Sequence, residues 1–178
     1  MDLDFELTRT DSCGELNILS CNKDVVLKGW VDRRRDLGQL IFIDIRDIKG
    51  KTQLVFDPAH ATEAHAKAGQ LRSECVIAVK GKVVKRVEPN RKMATGEIEI
   101  IVEELRILNE SEAPPINISD DGGENEDTRL KWRYLDLRRP FMQKNILFRS
   151  AVMQETRKLL TAKGFTEIET PILMKSTP

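Results

Sequence analysis

Residues 33 to 48 read RRRDLGQLIFIDIRDI, and this stretch indicates the fold of the first part of the chain. Three arginines come first, a turn at Asp36-Leu37-Gly38 follows, and the next run alternates with period two. The alternation predicts two faces, a core face with Ile41, Ile43 and Ile45 and an outer face with Phe42, Asp44 and Arg46. An aromatic ring beside arginines is what a base-stacking groove needs. A hairpin with a solvated charged edge explains the same residues.

On both sides of this stretch, the sequence predicts further strands, so that five strands and one helix are expected before residue 110. The predicted strands are Val25–Arg33, Leu40–Asp47, Thr52–Phe56, Val76–Val87 and Glu97–Leu108. The helix, Ala61–Leu71, is rich in Ala, Glu, Lys and Gln and lies between the third and fourth strands. This order predicts an all-β OB-fold, a five-stranded barrel with one helix. A small two-sheet sandwich has the same number of strands.

The composition excludes several classes of protein. Apolar residues make up 40% of the chain and charged residues 33%, and no apolar run is long enough for a membrane span. The start lacks the pattern of a signal peptide, and the three cysteines show no CxxC spacing. These features predict a cytoplasmic protein without a metal site.

The net charge of zero conceals an uneven distribution along the chain. Residues 22–109 carry 17 Lys and Arg against 13 Asp and Glu, a net charge of +4. Residues 110–127 carry seven acids and no base, together with Pro-Pro and Gly-Gly pairs. We therefore expect a domain at 1–109, an acidic linker at 110–127 whose side chains mostly avoid any core, and a second domain from 128 to 178.

The second domain begins with a helical pattern. Apolar residues recur at helical spacing between Phe141 and Lys163, and Gly164 follows as a candidate C-cap. The stretch 165–168 predicts a short strand that ends before Pro171. One helix and one strand cannot cover both of their apolar faces, so we expect this domain to be incomplete in the present chain.

Four segments together resemble a bacterial-type aspartyl-tRNA synthetase of class IIb. They are GWVDRRRDLGQLIFIDIRD at 29–47, MATGEIEI at 93–100, RYLDLRRP at 133–140 and GFTEIETPIL at 164–173. The last is similar to motif 1 of class II synthetases. The resemblance implies that the barrel is an anticodon-binding domain and that the α+β catalytic domain begins after the linker.

The resemblance also implies the reaction of the complete enzyme. Aspartate would be activated with ATP and Mg²⁺ and then transferred to the 3′ end of tRNA-Asp. Motifs 2 and 3, which carry the ATP site in the family, have no counterpart among these residues, so we expect no catalytic residue and no activity in this segment alone. Asp136, Glu167 and Glu169 are interpreted as structural or interface carboxylates.

The family's anticodon contacts fall on five residues of this sequence: Arg33, Arg35, Phe42, Gln53 and Glu99. Phe42 matches the aromatic position that stacks on a base of the GUC anticodon. Gln53 matches the residue that bonds the middle base, and Glu99 the carboxylate near the first base. Both lie out of phase with the apolar positions of their strands. Arg33 and Arg35 would meet phosphates or base edges, with Arg34 facing elsewhere.

Three further residues take roles from the same resemblance. Arg86 and Asn90 would border the anticodon groove. Pro171 matches the motif-1 proline at a homodimer interface, and a strand terminator at this position would also be a proline.

Two other functions remain open at this stage. The chain could be a stand-alone OB-fold nucleic-acid-binding module, or a lysyl- or asparaginyl-tRNA synthetase relative. The sequence does not decide whether tRNA-Asn is charged as well as tRNA-Asp. By its residue at position 37, a leucine, this sequence resembles the enzymes that are restricted to tRNA-Asp.

Overall fold

The computed structural model describes residues 8–118, 123–173 and 175. The chain divides into two compact units, Met1–Pro114 and Pro115–Pro178. Among the helices described, none combines the length and the apolar character that crossing a membrane requires.

The first unit is a closed five-stranded barrel. Its strands are β1 (Asp24–Leu37), β2 (Leu40–Asp47), β3 (Gly50–Phe56), β4 (Val76–Lys85) and β5 (Ile98–Asn109). They follow the order β1-β2-β3-β5-β4, and β4 pairs with β1 to close the sheet. Neighbours are antiparallel except β3 and β5, which are parallel. The predicted barrel is confirmed, and closure excludes the two-sheet sandwich.

A continuous apolar core fills the barrel. Alternating residues of the strands point inward, among them Ile43, Ile45, Leu54 and Phe56, which are fully buried. Burial of each such side chain contributes about 1.5–3 kcal/mol to folding. The predicted helix is present as α1 (Thr62–Ala68) between β3 and β4, and its alanines add to the same core.

A β-bulge at Asp32 reverses the faces of β1. Val31 pairs with Ile45 on the inner face, but the next pair joins Arg33 to Asp44, so β1 carries one extra residue at this point. Without the bulge, the alternation that buries Val31 would turn Arg33 and Arg35 inward as well. With it, Arg35 pairs with Phe42 on the outer face, as predicted from the sequence.

Arg34 lies opposite Ile43 and faces away from Arg33 and Arg35, as expected. Its guanidinium donates to the backbone carbonyls of Gly69 and Leu71, just beyond the C-terminal end of α1, and to Asp36. Arg34 therefore ties β1 to the end of this helix.

The second unit begins with two short helices, α2 (Glu126–Lys131) and α3 (Arg133–Asp136). A small apolar cluster joins Ile116, Ile118 and Leu135, with Trp132 packed against it. The expectation that the acidic linker contributes little to any core is wrong for Ile116 and Ile118. Both are buried because α2 and α3 supply a local apolar surface, which the count of acids and prolines does not indicate.

Asp136 is completely buried at the centre of an arginine cluster. Its carboxylate accepts from Arg129 Nε at 2.8 Å and from Arg133 Nη1 at 2.7 Å, and Arg139 Nε lies 3.6 Å away. Arg139 also donates to the Asn117 carbonyl and pairs with Glu124. These bonds hold Asn117 and Glu124, which belong to the predicted linker, next to α3. This arrangement is in keeping with the structural role expected for Asp136.

A long helix, α4 (Pro140–Ala162), follows. It ends as predicted: Gly164 has a φ of +87°, and Phe165 N donates to the Leu160 carbonyl at 3.1 Å, which is a Schellman motif. The strand predicted at 165–168 is wrong, because these residues are irregular in the structure. A strand needs a neighbour for its backbone hydrogen bonds, and the described residues of this unit provide none.

Candidate nucleic-acid interface

The outer face of the β1–β2–β3 sheet gathers the residues that the sequence singled out. Phe42 lies between Arg35 of β1 and Val55 of β3 in register, while its neighbours Ile41 and Ile43 are buried inside. Residues directly opposite in antiparallel strands share a face. The ring of Phe42 is thus outside the core, half-buried, and next to an arginine.

Gln53 occupies the centre of a polar network on this face. Its Oε1 accepts from Arg35 Nη2 at 3.1 Å and from Arg86 Nη2, and its Nε2 donates to Glu99 Oε2 at 3.0 Å. Arg86 Nε lies 3.6 Å from the same Glu99 oxygen. Side chains from β1, β3, β5 and the end of β4 therefore meet at one amide.

Asp44 completes this group, which we call the Gln53 network: Arg35, Asp44, Gln53, Arg86 and Glu99. Arg35 Nη2 lies 2.8 Å from Asp44 Oδ1. Burial raises the pKa of the Asp44 carboxyl above its ordinary value, although the positive charge of Arg35 opposes this effect. Asp44 was not among the residues expected to bind RNA, although it shares the strand face of Phe42.

The members of the network differ in accessibility. Gln53 is only 3% exposed, because its neighbours cover the amide, whereas the Arg35 side chain is 33% exposed. Arg35 Nε and Arg86 Nη1 are buried donors without a hydrogen-bond partner among the described residues. Buried donors without a protein partner are usually satisfied by water or by a ligand oxygen.

Arg33 and Asn90 stand apart from the network. Arg33 shares the outer face and pairs with Asp44 in register, but its side chain is exposed. Asn90 lies in the β4–β5 loop, where its Oδ1 accepts from Lys92 N at 3.0 Å and stabilises the loop. Within the described ranges, no hydrogen bond joins either side chain to Gln53.

A second polar group lies beside the network and is internally paired. Arg46 bonds Asp32 at 2.9 Å and Glu74 at 2.7 Å, and Lys51 bonds Asp32 at 2.7 Å. Each of these carboxylates thus has a cationic partner that belongs to another strand or loop. This arrangement ties the bulge to β2 and β3 and serves the barrel itself.

Pro171 lies in the second unit, in the irregular and exposed segment after α4. None of the residues of α4 is buried. Among the described residues, no group of three or more His, Cys, Asp or Glu side chains is placed to hold a metal ion.

Comparison with known proteins gives the two units separate family matches. Residues 25–108 match a family model described as an OB-fold nucleic acid binding domain, and residues 125–178 match the class II tRNA synthetases of the D, K and N group. The first range contains every residue of the Gln53 network.

Curated relatives match nearly the whole chain. The Aspartate–tRNA(Asp/Asn) ligase of Protochlamydia amoebophila is 52% identical over 177 residues, which is 98% of this chain and 30% of the relative. The enzyme of the same name from Geotalea uraniireducens is 50% identical over 172 residues, 96% of this chain and 29% of the relative. The chain thus spans about 30% of the length of these relatives.

Solved structures share the fold. Asparaginyl-tRNA synthetase from Pyrococcus horikoshii superposes with a TM-score of 0.81 at 26% identity, covering 94% of this chain and 39% of that one. Aspartyl-tRNA synthetase from Entamoeba histolytica gives a TM-score of 0.83 at 24% identity, covering 94% and 40%. The barrel, the two family matches and the identities of about 50% agree: over nearly its whole length the chain is similar to aspartate–tRNA ligases, with an OB-fold nucleic acid binding domain followed by the start of a class II tRNA synthetase domain.

Proposed function

We propose that this chain supplies the anticodon-binding domain, and the beginning of the catalytic domain, of an enzyme that attaches aspartate to tRNA. The observation that carries the proposal is the Gln53 network beside Phe42. It sets hydrogen-bonding groups next to an aromatic ring on the outer face of an OB-fold barrel. RNA loops are recognised by this combination of base stacking and contacts to base edges.

Each residue has a role that suits its position. Phe42 stacks on an anticodon base, and a base approaches Gln53 from the side of Phe42 and Arg35, the partly exposed residues of the face. Gln53 hydrogen-bonds the middle base. The Glu99 carboxylate lies at the other end of the network, where it accepts from N1–H and N2–H of a guanine.

Arginines supply the contacts to phosphates and to the groove. Arg33 is exposed and free to pair with the RNA backbone, whereas Arg35 and Arg86 act from within the network. Asn90 borders the groove through its loop.

The choice of tRNA follows from the names of the relatives. Both the Geotalea and the Protochlamydia proteins are named for tRNA(Asp/Asn), contrary to the direction that Leu37 indicated. The anticodons GUC and GUU share their first two bases, which are the bases assigned to Glu99 and Gln53. We therefore propose that this barrel binds both loops.

The complete enzyme is proposed to act in the cytoplasm as a homodimer. Helix α4 exposes apolar side chains, including Ile146 at 47%, Phe148 at 71% and Val152 at 48%. Pro171 and the adjacent Ile172 are exposed as well. A second copy of the enzyme would cover such a surface, and sedimentation of the full-length protein tests for a dimer.

ATP and Mg²⁺ belong to the proposed reaction, but the residues described here do not fit them. The described residues supply no cluster of three or more His, Cys, Asp or Glu side chains that could hold the metal ion. We therefore derive no catalytic step from this chain.

The test of the proposal is binding of RNA stem-loops to the purified chain. Loops with the anticodons GUC and GUU should bind tightly, and a loop of unrelated sequence should bind at least tenfold more weakly. Equal affinity for all three loops would contradict anticodon recognition. Aminoacylation by the full-length protein with aspartate, asparagine or lysine separates the three related specificities.

A further inference from the structure

The orientation of the Gln53 amide is dictated by charge. Its oxygen faces two guanidinium groups, those of Arg35 and Arg86, and its nitrogen faces the Glu99 carboxylate. Rotating the amide by half a turn would bring NH₂ against two cations and the carbonyl against an anion. The amide is therefore held with one polarity, and its unshared N–H is the hydrogen-bonding atom that remains for a base.

Arg35 is the member of the network that needs outside support. Its side chain is one-third exposed, and its Nη2 is shared between Gln53 Oε1 and Asp44 Oδ1. A flexible, partly solvated guanidinium loses side-chain entropy when it is fixed. The shorter of its two bonds, at 2.8 Å, is the one to Asp44.

Asp44 has no comparable structural task. Among the described residues, the one hydrogen bond of its side chain goes to Arg35, whereas its neighbour Asp32 bonds both Arg46 and Lys51. Its side chain is 12% exposed, and its raised pKa indicates that burial disfavours the charge. A buried carboxylate that costs folding free energy and holds one arginine is typical of a functional site.

We infer that Asp44 is a positioning residue that fixes the Gln53 amide through Arg35 and so sets the specificity for the middle anticodon base. Uracil presents carbonyl oxygens to the remaining N–H of Gln53, whereas cytosine presents an amino group at the corresponding edge. Loss of the Asp44 charge frees Arg35, and the amide then loses one of the three contacts that fix its orientation. This inference rests on the proposed function and names a residue that acts behind the base contacts.

The test compares two stem-loops that differ only in the middle base, GUC and GCC. The quantity measured is the dissociation constant for GCC divided by that for GUC on the same protein sample, a ratio that does not depend on the fraction of folded protein. For Asp44→Asn we expect this ratio to fall about fivefold to tenfold from the wild-type value, the scale of one misplaced hydrogen bond.

Asp36→Asn is the matched control. It removes one negative charge from the same hairpin, where Asp36 pairs with Arg34 at 2.7 Å outside the network. It should leave the ratio within about twofold of wild type. Arg35→Gln should reproduce the loss seen with Asp44→Asn, and the double variant should show no further loss, since both changes break one pair.

The outcomes are distinguishable. A wild-type chain that does not prefer GUC over GCC would overturn the proposed function and this inference together. A wild-type preference that survives Asp44→Asn, or losses that add in the double variant, would overturn the inference alone. Because ionisation of Asp44 costs stability in the folded chain, Asp44→Asn should not lower the melting temperature at neutral pH.

Discussion

Phe42 is the residue on which the proposed RNA contact depends most. It is held by the backbone of a central strand, and its ring adds nothing to the core occupied by Ile41 and Ile43. A half-buried ring on a polar face brings little to stability by itself. Its value is the flat apolar surface that it offers to a base, next to cations that attract the phosphate chain.

Phe42→Ala should weaken binding of the GUC stem-loop by about 1–3 kcal/mol, the usual effect of losing one base–aromatic stack. The melting temperature should stay near the wild-type value because no core volume is removed. Ile48→Ala, which shortens an exposed apolar residue in the turn between β2 and β3, is the control. Unchanged affinity, or a large loss of melting temperature, would show that Phe42 is a packing residue.

Arg33→Ala should change the salt dependence of binding. Arg33 is exposed, and a phosphate contact contributes about 0.7 to the slope of log K against log salt for single strands. Titrations at several salt concentrations should therefore show a slope lower by about that amount. Lys80→Ala, an exposed change on β4, should leave the slope nearly unaltered. Equal effects of the two variants would argue against a specific phosphate contact.

Strand alternation predicted correctly which residues lie outside the core, but it did not predict which of these residues contact one another. Gln53 and Glu99 were expected off the core because Leu54, Ile98 and Ile100 are apolar, and all three are fully buried. Gln53 and Glu99 contact each other because β3 and β5 are parallel neighbours in the barrel, although these strands are far apart in sequence. The part played by Asp44 was missed because a charged residue on a polar face gives no signal of its partner.

At the level of the elements, closure of the barrel depends on places where strands approach closely. Gly81 lies where the β4–β5 register shifts, and a Cβ at this position would meet the Ile101 carbonyl oxygen at 2.3 Å. The backbone of β5 cannot move away without breaking its pairing. Small side chains at such points are a requirement of the sheet geometry.

Gly81→Ala should lower the free energy of unfolding of the barrel by about 1–3 kcal/mol, as expected for overpacking. Urea denaturation of the chain measures this change. Gly123→Ala, where an added Cβ would contact nothing within 4 Å, should leave stability unaltered. A neutral Gly81→Ala would mean that β4 and β5 are less tightly apposed than described.

Helix α4 and the residues after it show which structural features local sequence patterns can predict. The turn of residues that ends it was predictable because Gly164 adopts a positive φ that other residues avoid. The strand expected after it was not, since a strand exists only together with its neighbours. Local chemistry therefore predicts where elements end more reliably than whether an extended segment forms a strand.

At the scale of the whole molecule, the two units differ in how much of their surface they bury. The barrel has one continuous core, whereas the apolar cluster of the second unit is small and its longest helix has no buried residue. Stability should therefore be distributed unevenly along the chain.

Amide hydrogen exchange on the monomeric chain should show this distribution directly. Amides of β2, β3 and β4 should be protected nearly to the level of global unfolding, and amides of 166–170 should exchange close to the unprotected rate. Protection at 166–170 equal to that of the barrel strands would contradict the expectation. A dimeric sample is excluded by sedimentation beforehand, because a partner copy would protect the same amides.

The second unit should be sensitive to acid. Hydrogen bonds from Arg129 first, together with the nearby arginine charges, lower the pKa of Asp136 below its ordinary value. A lowered pKa gives a contribution to stability that is complete above the usual value and is lost as the pH falls through the lowered one. Fluorescence of Trp132, measured in a Trp30→Phe background, should report this loss. Asp136→Asn should lose the structure already at neutral pH, with barrel signals unchanged.

Because of the bulge at Asp32, the face on which each arginine lies depends on the number of residues in β1. Replacing Asp32 by another amino acid keeps the count, but deleting one residue there would exchange the faces of everything between the bulge and the turn. Arg33 and Arg35 would then point into the barrel, and Arg34 would point out. We therefore expect this hairpin to tolerate substitutions but not the deletion of a single residue. Relatives should keep the length of the hairpin even where their residues differ.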